Sequence, residues 1–367
     1  MLKRRLAKPG AVLTSEARKA ERAEKLTSGG CLELFLDRST GRLRALWRLA
    51  IQYWAYWELL QLSLALLVAA RLGAGFYARN ASGRLGASAV SGSPALPLVS
   101  GVAGLSAAIL TVWLAGRFLD RRPFSEFGFR LGAGWWLDLL FGMVLGALLM
   151  TAVFIIELGL GWVEVTGSFV TYASGASFVV SMLIPAATFI CVGISEETVF
   201  RGYQLKNAAE GLNYPALGPR GAILLAWISS SVFFGMLHAN NPSATPISTL
   251  NIVLAGLMLG FGYVLSGELA IPIGLHITWN FFQGAVYGFP VSGFGAFGPT
   301  LLTTEQGGPQ LWTGGSFGPE GGLLVPGIML LGMSLVALWT HLRTGKVSLH
   351  TPIAENPYRD RPQTPSQ

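Results

Sequence analysis

Charge is scarce in this chain: of 367 residues only 12% are Asp, Glu, Lys or Arg, about half the usage of a soluble domain. Histidine numbers four and cysteine two. Cys31 lies in a polar N-terminal stretch and Cys191 in an apolar one, so they form no disulfide framework and match no metal-ligand spacing. Apolar residues are what the chain has in abundance, 51% of the total with a mean hydropathy of +0.51. Several stretches approach or pass the ~18 mostly apolar residues that cross a bilayer, and their character is helical rather than alternating. This excludes an ordinary soluble domain and argues against a β-barrel. The fold class expected is all-α, a polytopic transmembrane helical bundle of about eight spans with a site buried between helices.

The net charge of +7 and a pI near 9.6 do not point to nucleic acid, because the basic residues gather at the two ends and in particular loops, the pattern that orients membrane proteins. No nucleic-acid partner is expected. Membrane lipid is, with the basic N-terminal segment drawn to anionic lipid on the cytosolic face.

The apolar runs place spans at about 49–70, 95–117, 132–156, 176–206, 221–240, 246–265, 271–289 and 323–341. They divide the chain into a basic polar segment (1–45), two first transmembrane helices (46–118), a membrane core (119–290), an irregular loop with the last helix (291–342) and a disordered tail (343–367). About 40 polar residues precede the first span, too many for the n-region of a cleaved signal peptide, so that span is expected to be retained. Eight spans put both termini on one side. Arg121, Arg122, Arg130, Arg201, Lys206, Arg220, Arg343 and Lys346 then share the cytosolic face with the N-terminal segment, while the loops 157–175 and 290–322 contain no Lys or Arg. Loop 71–93, with Arg71, Arg79 and Arg84, runs against this trend. The expected location is an integral, multi-pass membrane, with cytosolic termini, and the plasma (inner) membrane if the chain is bacterial. Gly142/Gly146 and Gly256/Gly260 form GxxxG pairs suited to close helix packing.

Ionisable groups inside a bilayer are costly, so they face the protein interior, pair, and mark functional paths. Here Glu196 and Glu197, with Arg201, follow the apolar run Ser177–Gly193. On a helix Glu197 and Arg201 are four apart and can pair, whereas Glu196 points about 100° away from Glu197 and is left to face a cavity. The next span ends in Phe234-Gly235-Met236-Leu237-His238, and a later one contains His276-Ile277-Thr278-Trp279-Asn280. His276 and Asn280 project from one helical face toward a common point. Glu58 and Asp138, inside the first and third spans, read as structural pairing or snorkelling. Glu196 lies toward one end of its span by hydropathy and His238 toward the opposite end of the next. The two reach one depth if the fourth helix continues through Arg201 to about Glu210.

Glu196-Glu197-x-x-x-Arg201, Phe234-x-x-x-His238 and His276-x-x-x-Asn280, in this order on successive spans, resemble the motif set of the CAAX protease and bacteriocin-processing family. The segment Arg122-Pro123-Phe124-Ser125-Glu126-Phe127-Gly128 is similar to one that precedes the core of that family, and the resemblance covers about residues 120–290. It implies a membrane-embedded endopeptidase acting on a peptide or lipidated protein, a prenylated CaaX tail in its prenyl-processing members. On this chain it implies Glu196 as general base on the attacking water, helped by His238, with His276 and Asn280 stabilising the oxyanion and Glu197 and Arg201 holding the geometry. A carboxylate in a poorly solvated cavity and donors fixed around a developing oxyanion suit that chemistry.

Two glutamates and two histidines also make up a zinc-type donor set, in which Glu196, His238 and His276 would be the ligands. The chain has no His-Glu-x-x-His helix, and each of these residues has a metal-free role, so a glutamate-dependent mechanism without a cofactor is favoured. Two other classes compete. A transporter would string Glu58, Asp138, Glu196, Glu197 and His238 into an ion or proton path, but the interrupted helices in matching halves that such folds use are not found. A non-proteolytic scaffold would keep the fold alone.

Overall fold

Glycine sets how closely the central helices approach. The computed structural model describes residues 32–37, 40–82, 96–172, 175–295 and 298–356. Its long elements are α1 (Ala45–Ser82), α2 (Leu96–Ala115, extended by a π turn to Asp120), α3 (Ala133–Gly159), β1 (Val163–Val170), α4 (Phe178–Leu212), α5 (Gly218–Leu237), α6 (Pro246–Ser266), α7 (Ala270–Phe281, extended by a π turn to Val286), β2 (Thr300–Gln306) and α8 (Leu324–Thr344). A Cβ added at Gly142 or Gly146 of α3 would run into the backbone carbonyls of Ile271 or Leu275 in α7, and one at Gly274 of α7 into that of Leu139. The two helices therefore cross backbone to backbone. Gly256 of α6 likewise lies against the backbone of Ser231 in α5, and Gly260 makes room for the Trp227 indole.

Six helices, α2 to α6 and α8, are long and apolar enough to cross a membrane. This is an integral membrane protein, helical throughout its core. Each helix buries one stripe and leaves the other apolar. On α3, Gly142, Leu145, Gly146, Leu149 and Val153 are buried while Leu137, Leu140, Val144, Leu148 and Ile155 are exposed, the three-to-four spacing of a lipid-facing stripe. The other two expected spans differ in kind. Helix α1 is 38 residues long, well beyond what a bilayer requires. Helix α7 has 12 α-helical residues and 5 more in π turns, about 25 Å at 1.5 Å per residue. Every residue from Ala270 to Asn280 is buried, so α7 is a central helix wrapped by others.

The two faces of the bundle are built differently. On one, the loops 157–175 and 290–322, expected as irregular, contribute an antiparallel strand pair with Val163 opposite Gln306 and Val170 opposite Thr300. On the other, charged side chains clasp the helix ends. Glu210 accepts from Arg42 at 2.6 Å, from Arg48 at 2.9 Å and from Arg122, and Arg48 also meets Asp120 and Asn207. Arg130 pairs with Glu268 at 2.6 Å; burial raises the pKa of Glu268, and its contacts with Arg130 oppose that rise.

The stretch from 343, expected as a disordered tail, is ordered as far as Asn356. It folds back on this charged face because its apolar residues find a pocket: Ile353 and Ala354 are buried with Leu205, Ala209, Ala222 and Ile223. Backbone N–H of His350 donates to the Val264 carbonyl and the Asn213 side chain to that of Ala354. The N-terminal segment to residue 31, with Cys31, and the tail from 357 lie outside the described residues.

Candidate active site

Helix α4 runs unbroken past the acid pair. Its α-helical turns end at Glu197, eight residues in π turns follow (Thr198–Leu205), and α-helix resumes to Leu212. This continuity carries Glu196 to the depth of His276, and so removes the mismatch with His238 that hydropathy suggests. Widened turns of this kind recur at functional sites.

Glu197 and Arg201 are 0% and 1% exposed and paired at 2.9 Å. The same Glu197 Oε1 lies 2.8 Å from His276 Nδ1, so one carboxylate holds both the arginine one turn on and a histidine from another helix. Arg201 also donates to the Gly256 carbonyl at 3.2 Å, and its guanidinium lies 4.5 Å from the centre of the Phe234 ring. That ring stands 4.7 Å from the His238 ring and edge-on to His276 at 6.5 Å. Phe234 thus stands between the Arg201 guanidinium and the His238 ring, while Glu197 reaches His276 directly.

Glu196 points the other way, into a cavity of about 200 Å³ that it lines with His238, His276 and Asn280. Its side chain is 26% exposed, and its carboxylate lies 3.9 Å from His276 Nε2, too far for a direct hydrogen bond and within the span of one bridging water. His238 Nδ1 lies 2.8 Å from the Phe234 carbonyl. A carbonyl only accepts, so this nitrogen carries the proton, and Nε2 of the neutral ring is an acceptor. The Asn280 amide is buried and has no hydrogen-bond partner among the described residues. All four residues expected to do chemistry line one cavity, and the two expected to support them lie beneath it.

The remaining walls are mostly apolar, among them Phe189, Val192, Ile252, Met258, Leu259 and Leu275. Glu320, outside every motif, completes the lining. It accepts from Trp279 Nε1 at 3.2 Å and from the Ser292 backbone and hydroxyl at 2.8 Å each, while its own carbonyl accepts from Asn251. It fastens the connection after α7 onto the helices beside Asn280. The only sequence signal for it is an acid in a Gly/Pro-rich stretch that is otherwise nearly uncharged.

Glu58 and Asp138 do not reach this cavity. Asp138 accepts from Trp339 Nε1 at 2.8 Å and lies 3.6 Å from Arg343, and Glu58 is exposed on α1. Among the described residues, neither joins Glu196 in lining the cavity. Nor do three His, Cys, Asp or Glu side chains converge as a metal cage among the described residues. Glu196, His238 and His276, the three residues that would be zinc ligands, line the same cavity.

Residues 178–282 match the family model described as type II CAAX prenyl endopeptidase Rce1-like. Residues 178–282, from α4 into the π turn after α7, are similar to that family. The match starts at the first residue of α4 and ends one residue past the α-helical part of α7, taking in all three motifs. A curated relative from Bacillus subtilis (strain 168), an uncharacterized protein called YyaK, is 29% identical over 211 residues, 55% of this chain and 65% of that protein. The chain thus spans less than two thirds of that relative's length. No solved structure matches the chain. The Rce1-like segment supplies Glu196, His238, His276 and Asn280 to the cavity, whereas Glu320 and the strand pair come from outside it.

Proposed function

We propose that this protein is an intramembrane endopeptidase that hydrolyses a peptide bond of a membrane-associated substrate; the prenylated CaaX peptide in the name of the matching family is the first such substrate to test. One observation carries the reading: Glu196, His238, His276 and Asn280 meet in a single cavity walled by apolar side chains. Glu196 is the general base for a water lying between it and His276, and His238 assists through Nε2. Attack on the scissile carbonyl turns its oxygen into an oxyanion, which the Asn280 amide and His276 Nε2 then stabilise; its collapse breaks the C–N bond as the proton taken up by Glu196 passes to the leaving amine. Stabilising the oxyanion requires a proton on Nε2 as well as the one at Nδ1, so His276 acts as the imidazolium. Donors fixed in a site with little water stabilise such an anion more than the same donors in solvent. Glu197 and Arg201 do not touch the substrate and hold His276 in place.

The test is cleavage of a fluorogenic prenylated CaaX peptide, and of the same peptide with its scissile bond placed internally, by purified protein in detergent. Wild type, Glu196→Ala and His238→Ala are compared with and without a zinc chelator. The reading expects cleavage by wild type, loss of about 10²-fold or more in each variant, and persistence with the chelator. Loss with the chelator and recovery with zinc would replace the glutamate-dependent mechanism by a metal-dependent one, and equal cleavage by all three proteins would refute the site.

A further inference from the structure

The cavity is not placed symmetrically between the two faces of the bundle. Its lining residues outside the long helices are His238, Asn241, Val291, Ser292, Phe294 and Glu320, all from the connections 238–245 and 287–323. None comes from the opposite connections at 121–132, 213–217, 267–269 or 345–356. Toward that opposite face the cavity has a floor, formed by the buried Glu197–Arg201 pair and the Phe234 ring.

Charge distinguishes the same two faces. The closed side carries Arg42, Arg48, Arg121, Arg122, Arg130, Lys206, Arg220, Arg343 and Lys346. On the open side the stretches 157–177, 238–245 and 287–323 contain no Lys or Arg, and carry Glu157, Glu164, Glu305 and Glu320. Arg71, Arg79 and Arg84, on the loop that runs against this trend in the sequence, are outnumbered. A bias in Lys and Arg of this size sets the closed side as cytosolic.

The lining also bears on the substrate. No Lys or Arg is among the residues that line the cavity; its charged groups are Glu196 and Glu320, with His238 and His276 beside them. A free C-terminal carboxylate three residues from the scissile bond would meet two carboxylates and no Lys or Arg side chain, and the His276 imidazolium is committed to the oxyanion.

We infer, resting on the endopeptidase reading, that the cavity is served from the extracytoplasmic side, and that its substrate is an internal, neutral or basic peptide segment held at the outer leaflet rather than the cytosolic tail of a prenylated protein. The apolar walls take the side chains flanking the bond, and the connections 238–245 and 287–323 form the mouth.

The side is tested without reference to activity. In protein lacking native thiols (Cys31→Ala and Cys191→Ala), single cysteines are introduced by Phe294→Cys at the mouth, where Phe294 is 55% exposed, and by Arg220→Cys on the basic face. Both proteins are expressed in a bacterial inner membrane and exposed to a membrane-impermeant maleimide in spheroplasts and in sealed inverted vesicles. Labelling of Phe294→Cys at least tenfold faster in spheroplasts, with the reverse for Arg220→Cys, is expected. The opposite pattern, or labelling of both from one side, overturns the inference. For the substrate, wild type in detergent is given peptides of one sequence ending in a free carboxylate three residues after the bond or continuing past it as an amide. Preference for the extended peptide is expected, and preference for the free carboxylate overturns that part. If neither peptide is cut, the endopeptidase reading fails, while the labelling still decides which face the cavity opens on.

Discussion

Glu196 and Glu197 are neighbours in the chain with different surroundings, and their substitutions should separate accordingly. Glu196 faces the cavity with its side chain 26% exposed, whereas Glu197 is fully buried between Arg201 and His276. Glu196→Gln should remove peptidase activity by about 10²-fold or more and leave the melting temperature in detergent unchanged. Glu197→Ala strands a buried guanidinium, which costs about 3–5 kcal/mol when a partner is removed, so the melting temperature should fall. The double variant Glu197→Ala/Arg201→Ala should recover part of that loss, because it removes the unpaired charge as well. Additive losses in the double variant would show that the pair does not act as a unit. The pairing of Glu197 with Arg201 and the turning away of Glu196 are legible in the sequence, since both follow from helical spacing within six residues. The bond from Glu197 to His276 is not, because it joins positions 79 apart and depends on how α4 and α7 cross.

That crossing belongs to the scale of elements, where small residues decide it. Gly146→Leu should destabilise the bundle by about 1–3 kcal/mol or more, the cost of overpacking, because its side chain would enter the α7 backbone at Leu275. Gly327→Ala in α8, where nothing lies within 4 Å, should be neutral or stabilising by up to about 1 kcal/mol from helix propensity. Thermal unfolding of the two variants in detergent checks the contrast, and equal melting temperatures would remove close packing as the role of Gly146. Six of the eight expected spans were legible for the same reason that these glycines were: apolar runs and small-residue spacing are local patterns. The strand pair was not, because β1 and β2 lie more than 130 residues apart and neither loop alone shows an alternating pattern strong enough to declare a strand. Likewise the charge and proline of the tail hide the two apolar residues, Ile353 and Ala354, that dock it.

At the scale of the whole molecule the cavity and the docked tail lie on opposite faces, so a change at one should leave the other alone. His350 provides the means to check this. Burial first, then the nearby cations Arg130 and Lys206, lower the pKa of its imidazole. The unfolded chain binds a proton that the folded chain resists, so the contribution of His350 is complete above its unfolded value of about 6.5. It is lost progressively as pH falls from there through the lower, folded value. Docking of residues 350–355 should therefore loosen on acidification. Hydrogen exchange at the backbone N–H groups of His350, which donates to Val264, and of Ile353 should show protection falling below about pH 6.5 after correction for intrinsic rates, and His350→Gln should flatten that dependence. The pH profile of peptide cleavage should be the same in wild type and His350→Gln, because no residue of this face lines the cavity. A cleavage profile that moved with His350 would mean that the clasp reaches the site through α4, the one helix that carries Glu196 near its middle and Glu210 of the clasp near its end.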